Sequence, residues 1–177
     1  MARITMLTGG ARSGKSALAL ELAERYDGQR AFVATAEITD DEMRQRVNRH
    51  RLERGPIYLT FEEPLALGEA LGGLPPAVGV AVVDCLTVWL GNVYHYRGED
   101  EETVGRAIDE LLAALEHVDK DLILVTNEVG WGIVPENALA RSFRDMAGRL
   151  NRLLAARADT VCLVCAGIPL VLKGELP

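Results

Sequence analysis

Eight residues near the start of the chain, Gly9-Gly-Ala-Arg-Ser-Gly-Lys-Ser16, restrict its fold more than any other part of it. They fit G-x-x-x-x-G-K-[ST], follow the apolar, β-branched run Ile4 to Leu7, and open an alanine- and leucine-rich helical pattern. A glycine-rich turn between strand and helix lets the backbone close around an anion, with successive amides and the positive end of the helix dipole turned towards it. In that setting Gly9, Gly10, Ala11, Arg12, Ser13 and Gly14 cradle the phosphates of a nucleoside triphosphate. Lys15 is expected to reach the β- and γ-phosphates, and Ser16 to offer its hydroxyl to Mg²⁺. A plain turn would need neither the Lys-Ser pair nor three glycines at these positions.

Such a loop demands a strand before it and a helix after it, and the rest of the chain repeats that alternation. Ile4 to Leu7, Ala31 to Ala34, Val78 to Val83, Leu122 to Val125 and Val161 to Val164 read as buried strands. Ser16 to Tyr26, Asp40 to Arg54, Glu102 to His117 and Asn137 to Arg157 carry apolar residues at a period near 3.6 and read as helices. Strands joined by helices imply a mostly parallel sheet covered on both faces, with ligands at the C-terminal ends of the strands. Ile57 to Phe61 is expected to add a strand, and Ile168 to Leu172 to pair with Val161 to Val164 as a C-terminal edge hairpin. Gly72-Gly-Leu-Pro-Pro76 breaks structure before the central strand, and Gly98 to Glu101 is a polar connection; neither is long enough to separate domains. The expectation is one α/β domain over residues 1–177.

A nucleotide site of this kind needs a second acidic element. Val78-Gly-Val-Ala-Val-Val-Asp84 ends an apolar strand in a carboxylate placed to hold the water shell of the metal, the alternative being a cap on a following helix. The strand Leu122 to Val125 runs into Thr126-Asn-Glu128, which puts another carboxylate on the same rim. Glu128 either activates a hydroxyl or contacts substrate, or else stabilises the loop through backbone hydrogen bonds.

Thr39-Asp-Asp-Glu42 forms a capping box, so a helix is expected to start there. It carries Arg44, Arg46, Arg49, Arg51 and Arg54, which make either a solvated face or a polyanion site, since guanidinium forks suit phosphate oxygens. Met43, Val47 and His50 share its apolar face by spacing. His50 is accordingly either a packed core-edge residue or a nitrogen nucleophile able to attack an α-phosphate. His95 and His117 lack such a setting, although His117 is suited to complement a helix C-terminus.

Composition narrows the partners. A net charge of −7 is unsuited to sequence-independent nucleic-acid binding, which rests on a positive surface. No apolar stretch is long enough to span a membrane, and the N-terminus lacks the layout of a secretory signal, so a cytoplasmic location is expected. Cys85, Cys162 and Cys165 are an odd set in apolar surroundings and read as reduced packing residues. On a strand Cys162 and Cys165 would point to opposite faces, which disfavours a metal or redox pair.

Taken together, Thr8-Gly-Gly-Ala-Arg-Ser-Gly-Lys-Ser16, Val33-Ala-Thr-Ala-Glu37, Asp40-Asp-Glu-Met43 with His50, and Val125-Thr-Asn-Glu-Val-Gly130 closely resemble the bifunctional adenosylcobinamide kinase/adenosylcobinamide-phosphate guanylyltransferase family of cobalamin biosynthesis. Ile133-Val-Pro-Glu-Asn137 and Phe143-Arg-Asp-Met-Ala-Gly-Arg149 extend the resemblance over almost the whole chain. It implies a RecA-like P-loop NTPase fold, a homo-oligomer that is often a trimer, and two reactions on a corrinoid. ATP or GTP would phosphorylate the aminopropanol hydroxyl. GMP from GTP would then be transferred through a guanylyl-histidine, a role that falls by position on His50. Further nucleotide contacts implied by the resemblance are Ala34, Thr35 and Ala36, Arg51, Leu52, Glu53 and Arg54, Glu62, and Asp84, with Ser16 and Asp84 holding Mg²⁺. Local departures are Arg49 beside His50 and the Arg54-Gly-Pro56 turn. Two other readings share the loop: a small-molecule kinase without guanylyl transfer, and a RecA-like nucleotide-gated interaction module.

Overall fold

The computed structural model describes residues 2–37 and 57–177. Seven strands and five helices alternate along them: β1 (Ile4–Thr8), α1 (Lys15–Ala23), β2 (Gln29–Ala34), β3 (Tyr58–Glu62), α2 (Leu67–Gly72), β4 (Val78–Asp84), α3 (Leu86–Tyr96), α4 (Glu101–Leu115), β5 (Asp121–Val125), α5 (Ala138–Arg157), β6 (Thr160–Cys165) and β7 (Ile168–Lys173). They form one sheet in the order β3-β2-β4-β5-β1-β6-β7. All pairings are parallel except that of β6 with β7, the expected edge hairpin. β5 lies between β1 and β4, so the strand leading into the glycine-rich loop and the strand ending in Asp84 are separated by one other, the RecA-like form of the P-loop fold.

The near-continuous apolar runs of the strands follow from burial on both faces. Along each strand, alternate residues enter two separate cores. Met6, Ala31, Val33, Ala81, Val83, Leu122 and Leu124 pack beneath α2, α3, α4 and α5. Leu7, Phe32, Val80, Val82, Ile123 and Val125 pack beneath α1 with Ala19 and Leu22. Cys162 is buried on the α1 side and Cys165 is exposed, so the two thiols do not form a pair.

Helix boundaries differ from the sequence reading where side chains stop them. α1 ends at Ala23, short of Tyr26, because the buried Arg30 donates from Nε to the Ala23 carbonyl at 2.8 Å and from Nη2 to those of Glu24 and Tyr26 at 3.0 and 2.8 Å. A cation there satisfies carbonyls with no helical partner and meets the negative end of the dipole. Lys173 caps α5 in the same way at its expected end, Arg157, reaching the carbonyls of Ala155, Ala156 and Ala158. α4 stops at Leu115, leaving His117 in the turn beyond it.

Two helices have no counterpart in the sequence reading. α2 is only six residues long, too short to show a period. α3 buries Leu86, Trp89, Leu90, Val93 and Tyr94, a regular helical spacing, but its β-branched and aromatic residues and lack of a side-chain cap mask the pattern. Asp84 does not cap it: the N-cap is Cys85, which makes no side-chain capping bond.

Candidate active site

The register places the sequence-derived candidates along one rim. Glu62 lies opposite Ala34, Ala34 opposite Asp84, Asp84 opposite Val125, Val125 opposite Leu7 and Leu7 opposite Cys162. This transverse row lies at the C-terminal ends of β3, β2, β4, β5 and β1 and crosses β6 midway. Beyond it lie the glycine-rich loop after β1, Thr35 and Ala36 after β2, and Glu128 after β5. The helix predicted over Asp40 to Arg54, with His50, Arg51, Leu52, Glu53 and Arg54, falls outside the described residues.

The loop is shaped by two glycines in conformations that side chains disfavour. Gly9 has φ 145° and Gly14, the N-cap of α1, has φ 100°. A Cβ on Gly9 would collide with the Val164 carbonyl oxygen, whereas one on Gly10 would meet nothing within 4 Å. Arg12 also takes a left-handed conformation, φ 56°, and stands exposed at the crest. The turn between β6 and β7 supports the loop from behind, where Gly167 N–H donates to the Ser13 carbonyl at 2.9 Å. Gly9→Ala is therefore expected to destabilise the fold by about 1–3 kcal/mol, the range for strain at a special φ combined with a steric clash. Gly10→Ala should change stability by less than about 0.5 kcal/mol; thermal unfolding of the two variants side by side checks the contrast.

Lys15 is buried, and its ammonium donates to the carbonyls of Gly9 at 3.0 Å and Gly10 at 2.6 Å and to the Ser13 hydroxyl at 3.3 Å. Burial lowers its pKa from the ordinary lysine value, against the opposing pull of Cys85, Asp84 and Glu128. Burial, with the Asp84 charge beside it, pushes the Cys85 thiol up. At neutral pH that thiol is uncharged, so the attraction on Lys15 comes from the two carboxylates. Ser16, next in α1, is half-buried.

Asp84 ends β4 and is followed by a cis peptide bond to Cys85. Thr35 clamps this turn: its hydroxyl donates to the Cys85 carbonyl at 2.8 Å and accepts from the Cys85 N–H at 2.9 Å. Asn92 on α3 in turn donates to the Thr35 carbonyl at 2.8 Å and that of Pro64 at 3.1 Å. Its own N–H donates to the Asp84 carbonyl at 3.3 Å, so Thr35, fully buried, shapes this turn from behind the rim.

Glu128 is tied to the same loop. Its N–H donates to the Gly9 carbonyl at 3.0 Å, and its Oε1 accepts from the Thr8 hydroxyl at 2.7 Å and from Asn151 Nδ2 at 3.1 Å. Thr8, Thr87, Thr126 and Asn151 were not singled out by the sequence reading. The available signal was Asn151 itself, a polar residue at a buried position of α5 among Met146, Ala147, Leu150 and Leu154. Just past Glu128, Trp131, Ile133 and Val134 are exposed.

Strand order and loop geometry define a RecA-like P-loop nucleotide-binding protein. A family model described as cobinamide kinase / cobinamide phosphate guanyltransferase (CobU) matches residues 5–172, and the chain belongs to that family. It is 40% identical over 170 residues to the bifunctional adenosylcobalamin biosynthesis protein CobP of Pseudomonas aeruginosa, covering 96% of this chain and 97% of that one. It is 39% identical over 179 residues to the bifunctional adenosylcobalamin biosynthesis protein CobU of Escherichia coli, covering 95% and 98%. Among solved structures, the RadB recombinase is similar with a TM-score of 0.49 at 17% identity, over 91% of this chain and 73% of that one.

Proposed function

We propose that this protein phosphorylates the aminopropanol hydroxyl of adenosylcobinamide with ATP or GTP and then transfers GMP from GTP to the product, releasing pyrophosphate and leaving a GDP-linked corrinoid. The observation that carries this reading is membership of the family over residues 5–172. The loop from Gly9 to Ser16 on the strand rim supports it.

In the first reaction the hydroxyl oxygen attacks the γ-phosphorus, and the bond to the bridging oxygen breaks to release the nucleoside diphosphate. The loop amides and Lys15 hold the phosphates and meet the charge that develops on them. In the second, His50 takes the GMP group through a ring nitrogen and pyrophosphate leaves. A phosphate oxygen of the phosphorylated corrinoid then displaces the histidine. Arg51, Leu52, Glu53 and Arg54 are assigned to the nucleotide, as are Ala34, Thr35, Ala36 and Glu62, with guanidinium groups suited to the phosphate oxygens. Ser16 and Asp84 are both half-buried on the rim and present only oxygen donors, the chemistry Mg²⁺ selects, so they are the residues to hold it. Bound there, the ion would neutralise charge on the phosphate chain. The same reading carries one domain over residues 1–177, a cytoplasmic location and a homo-oligomer, a trimer by family.

Mass analysis after incubation with GTP and Mg²⁺ tests the proposal. The protein alone should gain one GMP, and adding adenosylcobinamide should remove that adduct and yield the GDP-linked product. Phosphorylated corrinoid with no protein adduct would reduce the protein to a kinase. Native mass measurement on the same sample should read about three times the 19.2 kDa chain.

A further inference from the structure

The two reactions differ in what they ask of a base. In the phosphoryl transfer the nucleophile is a neutral hydroxyl, which must lose a proton as its oxygen bonds to phosphorus. In the guanylyl steps the nucleophiles are an imidazole nitrogen and a phosphate oxygen that is already anionic. Only the first reaction gains from a carboxylate beside the phosphate loop. We propose that Glu128 is the general base of the phosphoryl transfer, and that Thr8 and Asn151 aim it as positioning residues.

A directed chain of hydrogen bonds holds this carboxylate. The Asn127 N–H donates to the Thr87 hydroxyl at 2.8 Å, Thr87 lies 3.2 Å from the Thr126 hydroxyl, and Thr126 donates to Asn151 Oδ1 at 2.8 Å. Because the Thr126 proton is committed to Asn151, the proton between the two threonines comes from Thr87. Asn151 Nδ2 then donates at 3.1 Å both to the Asn127 carbonyl and to Glu128 Oε1. From the other side the Thr8 hydroxyl donates to the same Oε1 at 2.7 Å. Thr8, Thr126 and Asn151 are buried, where a satisfied polar network is rigid. Residues of β1, α3, α5 and the segment after β5 thus form one network, in which Thr8 and Asn151 donate directly to Oε1. Oε2 has no hydrogen bond among the described residues, on a side chain that is half-buried and near the ammonium of Lys15. A mere loop tether would be satisfied by the backbone bond from Glu128 to Gly9. The network adds control over the direction of Oε2.

The step balances without a further reactant. Oε2 takes the hydroxyl proton as the new P–O bond forms, the bond from the γ-phosphorus to the bridging oxygen breaks with its electron pair on the departing diphosphate, and the carboxylic acid later returns the proton to water. The assignment rests on the function proposed above, so the test reads both reactions.

Glu128→Gln keeps an oxygen to accept from Thr8 and Asn151 but replaces the basic one. It should lower kcat for corrinoid phosphorylation by about 10²–10³-fold, as expected for loss of a general base. KM for nucleotide and GMP labelling of the protein from α-labelled GTP should stay within about threefold. Thr8→Val should lower kcat about tenfold by releasing the carboxylate, and Thr8→Ser should restore it. If wild type performs both reactions and Glu128→Gln retains more than about a tenth of the phosphorylation rate, or loses both reactions equally, the assignment is overturned alone. Wild type that performs neither overturns the function and the assignment together.

Discussion

His50→Ala is expected to abolish GMP labelling of the protein from α-labelled GTP while leaving corrinoid phosphorylation within a few-fold of wild type. The expectation follows from what covalent catalysis requires. The intermediate is an N–P bond to one ring nitrogen, and alanine has no atom that can make it. The loss should therefore be complete at the detection limit, with no partial fall in rate. The label on wild type should be acid-labile and stable to base, as for a phosphoramidate. Phosphorylated corrinoid should accumulate in the variant, because the first reaction has a ready nucleophile in the substrate hydroxyl. Labelling of His50→Ala at the wild-type level would move the covalent role to another residue.

The second large effect lies in the loop. Lys15→Met should reduce both reactions by at least about 10²–10³-fold, the scale on which loss of one preorganised electrostatic donor is felt. It should cost little stability. The ammonium is buried and its pKa is depressed by that burial, so the fold maintains the charge against its desolvation cost. Methionine of similar length removes that cost, which offsets the loss of the bonds to Gly9, Gly10 and Ser13. Unchanged or raised thermal stability with both activities lost would identify Lys15 as a functional charge. Loss of one reaction alone would mean that they do not share the phosphate cradle.

These two residues stand at opposite ends of what sequence reasoning reaches. Lys15 belongs to a motif of eight contiguous residues whose physical purpose is visible in the spacing. Asp84 and Glu128 were legible for a related reason: each follows an apolar strand, and parallel strands bring their C-terminal ends together. His50 acquires its meaning only through resemblance to a family, because one histidine on an apolar helical face is consistent with simple packing. The network behind Glu128 was not legible. Thr8, Thr87, Thr126 and Asn151 are ordinary residues dispersed over the chain, and only the strand order makes them neighbours. The fold was read well where burial on both faces writes continuous apolar runs. It was missed at α3, where an acceptable apolar period is composed of residues with poor intrinsic helix preference, and at the ends of α1, where Arg30 from the next strand decides where the helix stops.

The order of the strands also governs how the molecule must come together in time. β1 leaves the ribosome before the other described strands, whereas its two sheet neighbours, β5 and β6, follow β2, β3 and β4. Arg3 and Asp121, joined at 2.8 Å, are 118 positions apart. Ile4 bonds the Asp159 carboxylate 155 positions away. At about 5–20 residues per second of synthesis, the phosphate loop waits roughly 6–24 s for its first sheet partner. Its support from the Gly167 turn arrives later still. During vectorial synthesis β2 has β3 and β4 to pair with, while β1 remains an apolar segment with open edges. The strand on which the finished nucleotide site depends is thus one that waits long for its neighbours.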